Sequence, residues 1–503
     1  MTLAYDWIAH HARYSPDRLA QVDVDSGRSF TYAQFDDRAS RLAHHLRHTA
    51  GVRRGDRVAV LASNTSETFE LLFACQRLGA ILLPLNWRLA VPELEYILND
   101  AEPRCLVYGG NFAATVDRLA TARNHLALLR LDYGAASPYE AALQDSPRLA
   151  DPEQMALDDP WSILYTSGTS GRPKGAILTY GMVTFSAVNA AMKVEITQRS
   201  RGLTFMPLFH AGGLYVFALF ITCFGGRNYI LRGSDAKQTL DMLADRELGI
   251  THVLGVPTNF IMVSELPQFR NTDLSHVQSI LIGGAAAPVA LLEKYLERGI
   301  VLQQGWGMTE TATTSTVLSK EMARAKIGSC GQPTLHLEVR VVDGAGKDLP
   351  AGEVGELLVR GPTITPGYWN RPDVAATAFV DGWFRTGDAV RLDGEGYLYI
   401  VDRIKDMYIS GGENVYPLEV EDVLHHIPGI VEAAVIGVPD AKWGEVGRAF
   451  IVRRTADAVD EATVLRHCEQ SLARFKVPKQ IRFVESLPHN ATGKLQKHLL
   501  PRD

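Results

Sequence analysis

The chain has few of the features that mark secreted or nucleic-acid-binding proteins. Only five cysteines occur among 503 residues, and none forms a Cys-x-x-Cys pair. This excludes a disulfide framework and predicts reduced, mostly buried thiols. Neither sign of charge dominates, since 51 Lys and Arg stand against 57 Asp and Glu. The net charge of −6 therefore excludes an overall basic field for nucleic acid, although it leaves a local basic patch open.

Long hydrophobic runs are also missing. The longest is Leu214–Phe224, and its 11 residues fall short of the roughly 20 that a membrane-spanning helix needs. We expect no membrane span and read this run as a helix buried in a large core. Residues 1–7 have no basic start and include Asp6, which is unlike a secretory signal and predicts a cytoplasmic protein.

What is present is an ordinary globular composition. The chain is 46% hydrophobic and 21% charged, with 43 Gly and 24 Pro, which excludes disorder, collagen-like repeats and coiled coils. At roughly 100–200 residues per domain, the length corresponds to about three domains.

The order of hydrophobic patterns predicts the fold class. In the first hundred residues strand and helix patterns alternate, which favours βαβ units around parallel sheet: strand at 57–62, helix at 66–75, strand at 80–85, helix at 91–98 and strand at 104–108. The strand pattern recurs at 252–256 and 279–284. From about Leu335 short strands separated by Gly, Pro and Asp predict a β-rich subdomain, and from Asp406 a compact α+β unit follows.

We therefore predict an α/β and α+β protein with two domains. A large N-terminal domain (1–402) would combine βαβ-type subdomains with the β-rich one. A small mobile C-terminal domain (403–503) would follow. The boundary near 403–405 lies between dense strand signals, so it suits a hinge better than a flexible tether.

The segment 165–175, YTSGTSGRPKG, carries the clearest chemistry. It holds three glycines, four hydroxyl side chains, one Arg and one Lys, and it follows a strand-like run. Glycines let several backbone N–H groups point at one anion, and the hydroxyl and cationic groups add donors. This predicts a polyphosphate-binding loop, but no Walker A pattern can be drawn through it.

This loop is similar to the phosphate loop of the adenylate-forming superfamily, which includes acyl-CoA synthetases, luciferases and adenylation domains of nonribosomal peptide synthetases. The resemblance rests on several motifs and extends over essentially the whole chain. It implies ATP contacts from Thr166, Ser167, Gly168, Thr169, Ser170, Gly171 and Lys174, with Thr166 also among the catalytic residues.

A second motif, QGWGMTET at 304–311, resembles the family's aromatic-Gly-x-Thr-Glu segment. Trp306 offers a face for a purine, Thr309 a hydroxyl for a phosphate, and Glu310 a hard oxygen ligand for Mg²⁺. Relatives more often have Tyr at the Trp306 position. The same segment supplies three further expected nucleotide contacts, Gly305, Gly307 and Met308, and the resemblance also implies such contacts from Gly284 and Ala285.

A third motif, GWFRTGD at 382–388, looks like the family's Trp-x-x-Thr-Gly-Asp. In that motif the carboxylate accepts hydrogen bonds from both ribose hydroxyls, and an ionised carboxylate is a good acceptor for a vicinal diol. The resemblance thus assigns ribose contacts to Asp388 and Arg403, and the hinge position to Lys405.

Two further stretches resemble the parts of the family that act on CoA and on the adenylate. The loop at Ser410, Gly411 and Gly412 matches the one that lines the pantetheine tunnel, where glycines leave room for a thin chain. Near the C-terminus, NATGKLQK at 490–497 resembles the terminal Thr-Gly-Lys motif. It implies that Lys494 bridges the substrate carboxylate and the α-phosphate while negative charge builds up on both.

The acid itself is only partly predicted. Two segments, 205–214 and 279–288, resemble the family's substrate-lining stretches. His210 is expected to gate the pocket near the carboxylate and is counted among the catalytic residues, and the small residues Gly284 and Ala285 would leave the pocket open. The segment 205–214 has no acidic residue for an amino-acid ammonium group. Gly305 stands where malonate-activating relatives have Arg, which disfavours a dicarboxylate. An apolar fatty or aryl acid remains.

Together these features predict an AMP-forming acid–CoA ligase that uses ATP, Mg²⁺ and coenzyme A. Attack of the carboxylate on the α-phosphorus gives acyl-AMP and pyrophosphate, and the CoA thiol then displaces AMP. One alternative is an adenylating enzyme with another acceptor, such as a carrier-protein thiol or oxygen as in luciferase chemistry. A non-enzymatic homologue is disfavoured because Lys494, Glu310 and Asp388 are all present. The expected partners are the small-molecule acid, ATP and CoA, with no nucleic acid and with a homodimer as a candidate assembly.

Overall fold

The computed structural model describes residues 3–121, 123, 125–134, 136–166, 173–233, 235–440, 442–455, 459–490 and 493–502. The strands within these residues are β1 (Leu19–Asp23), β2 (Arg28–Thr31), β3 (Arg57–Leu61), β4 (Ile81–Pro84), β5 (Cys105–Gly109), β6 (Ala127–Leu131), β7 (Pro160–Thr166), β8 (Lys174–Thr179), β9 (Arg201–Thr204), β10 (Arg227–Ile230), β11 (His252–Gly255), β12 (Ser279–Ile282), β13 (Leu302–Trp306), β14 (Thr316–Val317), β15 (Gln332–Pro333), β16 (Glu338–Val342), β17 (Val354–Arg360), β18 (Phe379–Val380), β19 (Trp383–Leu392), β20 (Leu398–Arg403), β21 (Tyr408–Ser410), β22 (Glu413–Val415), β23 (Ile430–Asp440), β24 (Gly444–Arg453) and β25 (Gln480–Val484).

The helices in the same residues are α1 (Trp7–Tyr14), α2 (Tyr32–His48), α3 (Glu67–Leu78), α4 (Val91–Ala101), α5 (Ala113–Ala120), α6 (Pro138–Gln144), α7 (Tyr180–Val194), α8 (Ala211–Leu214), α9 (Phe220–Cys223), α10 (Ala236–Ala244), α11 (Pro257–Ser264), α12 (Val289–Leu296), α13 (Pro372–Ala378), α14 (Pro417–His425) and α15 (Glu461–Ser471). No helix of the described ranges is both long and apolar enough to cross a membrane.

Two mostly parallel sheets form the large N-terminal region. One has the strand order β6-β5-β3-β4-β7-β8, and the other has the order β15-β14-β13-β12-β11-β9-β10-β1-β2. Strands β3, β4 and β5 pair in parallel, as do β9, β11, β12 and β13. The helices between them make the crossovers that parallel pairing requires. This confirms the βαβ organisation predicted from the alternating patterns.

Local signals explain where these helices begin and end. Thr31 caps α2 by accepting the Gln34 N–H, and the Gln34 side chain bonds back to the Thr31 N–H, which completes a capping box. Helix α3 ends at Gly79, whose φ of 65° is a left-handed conformation that glycine adopts at little cost. The predicted helix at 66–75 and strand at 80–85 correspond to α3 and β4.

The predicted single helix over Leu214–Phe224 is wrong in one respect. The run is buried, but it is interrupted between α8 and α9, where Val216 has an extended ψ of 124° and Phe217 a φ of 60°. The Ala218 carbonyl accepts hydrogen bonds from the side chains of Asn228 and Thr222. A uniformly apolar run carries no periodic signal for such a break, because the stabilising donor from Asn228 lies on a neighbouring strand.

The remaining chain forms two smaller sheets. Strands β16, β17, β19, β18 and β20 make the predicted β-rich subdomain, in which β20 pairs with β19. Strands β22, β21, β24, β23 and β25, with α14 and α15, form the small α+β domain around its own apolar core. All five cysteines are buried and free, as predicted.

Candidate functional site

The site lies where several parallel strands end. Strands β9, β11, β12 and β13 run in parallel, so their carboxyl ends meet at one edge of the sheet and present the segments that follow them. The acid-side segments 205–214 and 279–288 and the motif at 304–311 are all placed at this edge. Motifs that are far apart in the sequence therefore come together because of the topology of the sheet.

The phosphate loop is described only at its two ends. Thr166 ends β7 and lies opposite Lys174 at the start of β8 in the antiparallel pair. The intervening candidates fall outside the described residues: Ser167, Gly168, Thr169, Ser170 and Gly171. The Lys174 ammonium group lies 4.8 Å from the centre of the Tyr368 ring, a cation–π distance. The loop therefore returns to the sheet beside Tyr368.

Tyr368 also joins this end of the loop to the predicted metal ligand. Its hydroxyl donates a hydrogen bond to Glu310 Oε1 at 2.9 Å, and both side chains are buried. The Glu310 carbonyl accepts the N–H of Thr365, which fixes the backbone of the two segments against each other. The second carboxylate oxygen of Glu310 is a hard ligand suited to Mg²⁺, which commonly uses one or two carboxylates together with phosphate oxygens.

The turn around Glu310 is closely packed. A Cβ atom at Gly307 would lie 1.3 Å from the carbonyl oxygen of Thr313, so only glycine fits there. A Cβ at Gly305 would lie 3.1 Å from the Thr316 carbonyl oxygen. Thr309 is buried, and Met308 is partly buried. These close approaches explain why small residues flank Trp306.

The predicted ribose and purine residues contact each other directly. Asp388 on β19 lies opposite Arg403 on β20, and its Oδ1 lies 2.7 Å from the Arg403 Nε. Asp388 Oδ2 accepts a hydrogen bond of 2.9 Å from the indole N–H of Trp306. Burial raises the pKa of Asp388, while Arg403 and Trp306 act in the opposite direction. A tyrosine at position 306 has no ring N–H, so the Trp–Asp bond depends on this chain's departure from the family pattern.

Lys494 reaches this same region from the far end of the chain. A Cβ at Gly493 would lie 3.0 Å from the Val256 side chain, so the segment packs on the start of α11. Lys494 keeps solvent-accessible surface, yet the surrounding protein desolvates its ammonium group and lowers its pKa from 10.5. The positive charge of Arg403 lowers it further, and the negative charge of Asp388 opposes this.

His210 is an acid-side residue on which this charge acts. Its Nδ1 accepts the N–H of Gly212 at 3.2 Å, so the imidazole caps the first turn of α8. Burial lowers the pKa of His210 to about 4, and the charge of Lys494 contributes. The imidazole is therefore neutral near pH 7 and able to donate from Nε2. Gly284 and Ala285 are exposed toward solvent at the end of β12, and Gly284 has a φ of 78°.

The lowered pKa of the His210 imidazole leads to a prediction about the pH dependence of the reaction. Because the pKa of His210 lies near 4, its proton is lost well below pH 6.5, and its charge changes little between about pH 6 and 9. We expect kcat/KM for pyrophosphate release to show no break near pH 6.5 that depends on His210. Measuring the profile for the wild type and for His210→Asn tests this. A break near pH 6.5 that disappears in the variant would contradict it.

The predicted CoA-side residues lie in the small sheet. Ser410 is buried at the end of β21, and Gly411 and Gly412 form the exposed turn to β22 with φ values of 62° and 88°. A Cβ at Gly411 would lie 2.8 Å from the ring of Trp443. Lys405 is exposed in the short helical turn Ile404–Asp406, directly after β20.

Tyr368 is the residue that the sequence analysis missed. It stands in the run TPGYW at 365–369, which reads as a surface turn because of its Pro and Gly. Its burial beside Glu310 follows from pairing of this segment with β8, where Trp369 N–H bonds to the Gly175 carbonyl. No local signal predicts that long-range pairing.

Comparisons with known proteins identify the family of the chain. A family model for the AMP-binding enzyme matches residues 8–369, and the model for the AMP-binding enzyme C-terminal domain matches residues 419–494. A feruloyl-CoA synthase of Amycolatopsis sp is 41% identical over 98% of this chain and 97% of its own. The long-chain-fatty-acid–CoA ligase FadD13 of Mycobacterium tuberculosis is 36% identical over 98% of this chain and 97% of its own.

Solved structures show the same fold. The structure of the o-succinylbenzoate coenzyme A synthetase from Bacillus subtilis, in complex with ATP and magnesium ion, has a TM-score of 0.88 to this chain. It is 31% identical and covers 99% of this chain and 100% of its own. The predicted fold class and the predicted superfamily are both confirmed. The chain belongs to the AMP-binding enzyme family, the adenylate-forming enzymes among which its relatives are acid–CoA ligases.

Proposed function

We propose that this ATP-dependent, AMP-forming acid–CoA ligase activates an apolar acid, and that Lys494 is the catalytic residue of the first half-reaction. One observation carries the proposal. The ammonium group of Lys494 lies within electrostatic reach of both His210 on the acid side and Asp388 on the nucleotide side. A cation at that position suits a transition state in which the carboxylate and the α-phosphate both carry negative charge.

In the first half-reaction the protein would bind and orient the substrates and would form no covalent bond to them. Asp388 would accept the ribose hydroxyls, and the Trp306 ring would support the purine. Lys174 and the loop that it follows would hold the phosphates. Glu310 would hold Mg²⁺, which supplies positive charge that offsets the phosphates. Lys494 then stabilises the charge that develops as the acid attacks the α-phosphorus and pyrophosphate leaves.

The domain division and the second half-reaction belong to the same proposal. We place the domain boundary between residues 402 and 403 and the hinge at Lys405, which is exposed and directly follows β20. The charge of Asp388 acts on Lys494, whereas Gly411 and Gly412 form a solvent-exposed turn. Rotation of the small domain about Lys405 would bring that turn to the site for thiol attack by CoA.

We place aryl acids ahead of long-chain fatty acids. Beside His210, a Cβ at Gly212 would come into ordinary contact with the Leu254 side chain at 3.6 Å. The cavity there, between Gly212, Val216 and Leu254, measures about 10 Å³, too little for a ligand chain. A short, flat acid would not need a tunnel that extends past Gly212 and Leu254. The 41% identity to a feruloyl-CoA synthase makes hydroxycinnamate-type acids the first ones to test.

A substrate screen tests the function. Pyrophosphate release is measured with hydroxycinnamates, benzoates and C8–C18 fatty acids, each with and without CoA. We expect CoA-dependent turnover, highest with an aryl acid. Turnover that proceeds equally without CoA would favour another acceptor, such as a carrier-protein thiol. Turnover with fatty acids alone would overturn the aryl preference.

The Trp306–Asp388 bond supports a prediction about nucleotide affinity. Trp306→Phe keeps an aromatic face but removes the N–H that holds Asp388. Loss of one hydrogen bond to a charged, buried group costs about 1.5–3 kcal/mol, so KM for ATP should rise by roughly tenfold or more while kcat changes little. Initial-rate kinetics check this. Trp443→Phe changes an exposed tryptophan and serves as the control, so it should leave KM for ATP unchanged. An unchanged KM for ATP in Trp306→Phe would contradict the proposal.

The cellular location and the oligomeric state are also part of the proposal. The five buried thiols are consistent with a cytoplasmic enzyme, and we propose that location. We also propose a homodimer, as considered from the sequence. Sedimentation analysis at micromolar concentration distinguishes it from a monomer.

A further inference from the structure

Two helices near the domain boundary each receive their N-terminal cap from a residue on the other side of that boundary. Helix α14 of the small domain follows Tyr416, and helix α12 of the large domain follows Pro288. Neither of these residues provides a side-chain cap. The first N–H groups of a helix lack intrahelical partners and need acceptors from elsewhere. In both helices the acceptor comes from the other side of the boundary.

Asp402 supplies the cap for α14. It lies at the end of β20 with its side chain buried, and its Oδ2 accepts the Leu418 N–H at 2.8 Å. The charge of Lys497 also acts on this carboxylate. Lys497 forms a buried ion pair of 2.8 Å with Glu421 on α14 and lies three residues after Lys494. Asp402 therefore contacts α14, and α14 is joined through Glu421 to Lys497, close in sequence to Lys494.

Asp422 supplies the cap for α12 in the opposite direction. It lies on α14, and its Oδ1 accepts the Val289 N–H of the large domain at 3.1 Å. A carboxylate at a helix N-terminus is stabilised both by the hydrogen bond and by the helix dipole. Both caps join residues on opposite sides of Lys405, so a rotation about that residue would break both.

We propose that Asp402 and Asp422 form a reciprocal latch, two positioning residues that hold the small domain in the orientation in which Lys494 faces the nucleotide. This proposal rests on the hinge and the role of Lys494 proposed above. The latch makes no contact with the reacting atoms. It sets the fraction of molecules that are ready for adenylation, and it must open before the CoA half-reaction.

Alanine substitution tests the latch in the full-length enzyme. Removing one N-cap typically costs about 0.5–2 kcal/mol, so the Asp402→Ala/Asp422→Ala double variant should slow single-turnover adenylation by roughly tenfold or more. KM for ATP and CoA transfer from preformed acyl-AMP should stay within about twofold of the wild type. The Asn variants keep an acceptor oxygen and should recover much of the rate.

The chain offers a matched control. Asp460 caps α15 by accepting the Thr463 N–H at 2.9 Å, entirely within the small domain. Asp460→Ala should lower the melting temperature about as much as one latch substitution without changing the ratio of the two half-reaction rates. If Asp460→Ala changed that ratio equally, or if the latch variants slowed both half-reactions to the same extent, the latch would be refuted.

A distance measurement separates the latch from the catalytic role of Lys494. The native cysteines are buried, so spin labels can be placed at the exposed positions Ser275→Cys and Glu469→Cys. With ATP bound, we expect one main distance in the latched protein and a second population in the double variant. An unchanged distribution would overturn the latch. Full adenylation activity in Lys494→Ala would instead overturn the role of Lys494 and leave this readout intact.

Discussion

Replacing Lys494 with alanine is expected to abolish acyl-AMP formation while CoA transfer from preformed acyl-AMP continues. The charge of Lys494 acts on His210 on the acid side, and the charge of Asp388 on the nucleotide side acts on Lys494. Removing one preorganised electrostatic donor from an enzyme site typically costs about 10²–10³ in rate, and a full positive charge is expected to lie at or beyond the upper end. In the second half-reaction the CoA thiol loses its proton, attacks the acyl-AMP carbonyl and expels AMP. Because the proposed rotation about Lys405 would move Lys494 away from the site, this step should not need its charge.

The two half-reactions are measured separately, by pyrophosphate release and by acyl-CoA formation from synthetic acyl-AMP. The exposed lysine Lys347, in the turn after β16, provides the control, and Lys347→Ala should leave both rates unchanged. Lys494→Arg keeps the charge but changes its geometry and should recover only part of the adenylation rate. Equal losses in both half-reactions would show that Lys494 supports the structure rather than adenylation.

Neutralising Glu310 should have the second largest effect. Glu310→Gln keeps an acceptor for the Tyr368 hydroxyl but removes the negative charge that would hold Mg²⁺ beside the phosphates. We expect adenylation to fall by about 10²-fold or more and the Mg²⁺ concentration needed for half-maximal rate to rise. Tyr368→Phe keeps the ring beneath Lys174 and should cause a smaller, several-fold loss through misplacement of Glu310.

Titrating Mg²⁺ against the rate of pyrophosphate release checks this prediction. Glu140 is a useful control because it is also a buried carboxylate of the large domain, held by Arg28 and Arg38. Glu140→Gln should lower the melting temperature without changing the Mg²⁺ dependence. A Glu310→Gln variant with the wild-type Mg²⁺ dependence would remove Glu310 from the metal site.

Much of the fold could be predicted from the sequence because its signals are local. The alternation of strand and helix patterns over residues 57–108 became β3, α3, β4, α4 and β5 of a parallel sheet. The loss of helical periodicity after Leu335 predicted the β-rich subdomain. Leu214–Phe224 shows the limit of this method, since an apolar run hides the break that Asn228 stabilises from another strand.

The residues of the candidate site also fall into two groups, those that short motifs reveal and those that only the tertiary structure reveals. Glu310, Asp388 and Lys494 were found from short motifs, because each motif fixes both the chemistry of a side chain and the local backbone that presents it. Tyr368 was missed because its position depends on pairing with β8, and the run TPGYW looks like any exposed turn. Most of the phosphate loop lies outside the described residues, so its predicted contacts stay predictions.

The sequence by itself therefore determined the family, the two-step chemistry and the residue types that serve it, since these depend on short segments with strong backbone preferences. Only the tertiary structure decided which of those residues meet. The Trp306 N–H holds Asp388, although the two residues are 82 positions apart. Asp402 and Asp422 each cap a helix across the domain boundary that we propose between residues 402 and 403. Such contacts arise from packing between distant segments, and no local pattern encodes their distance or direction.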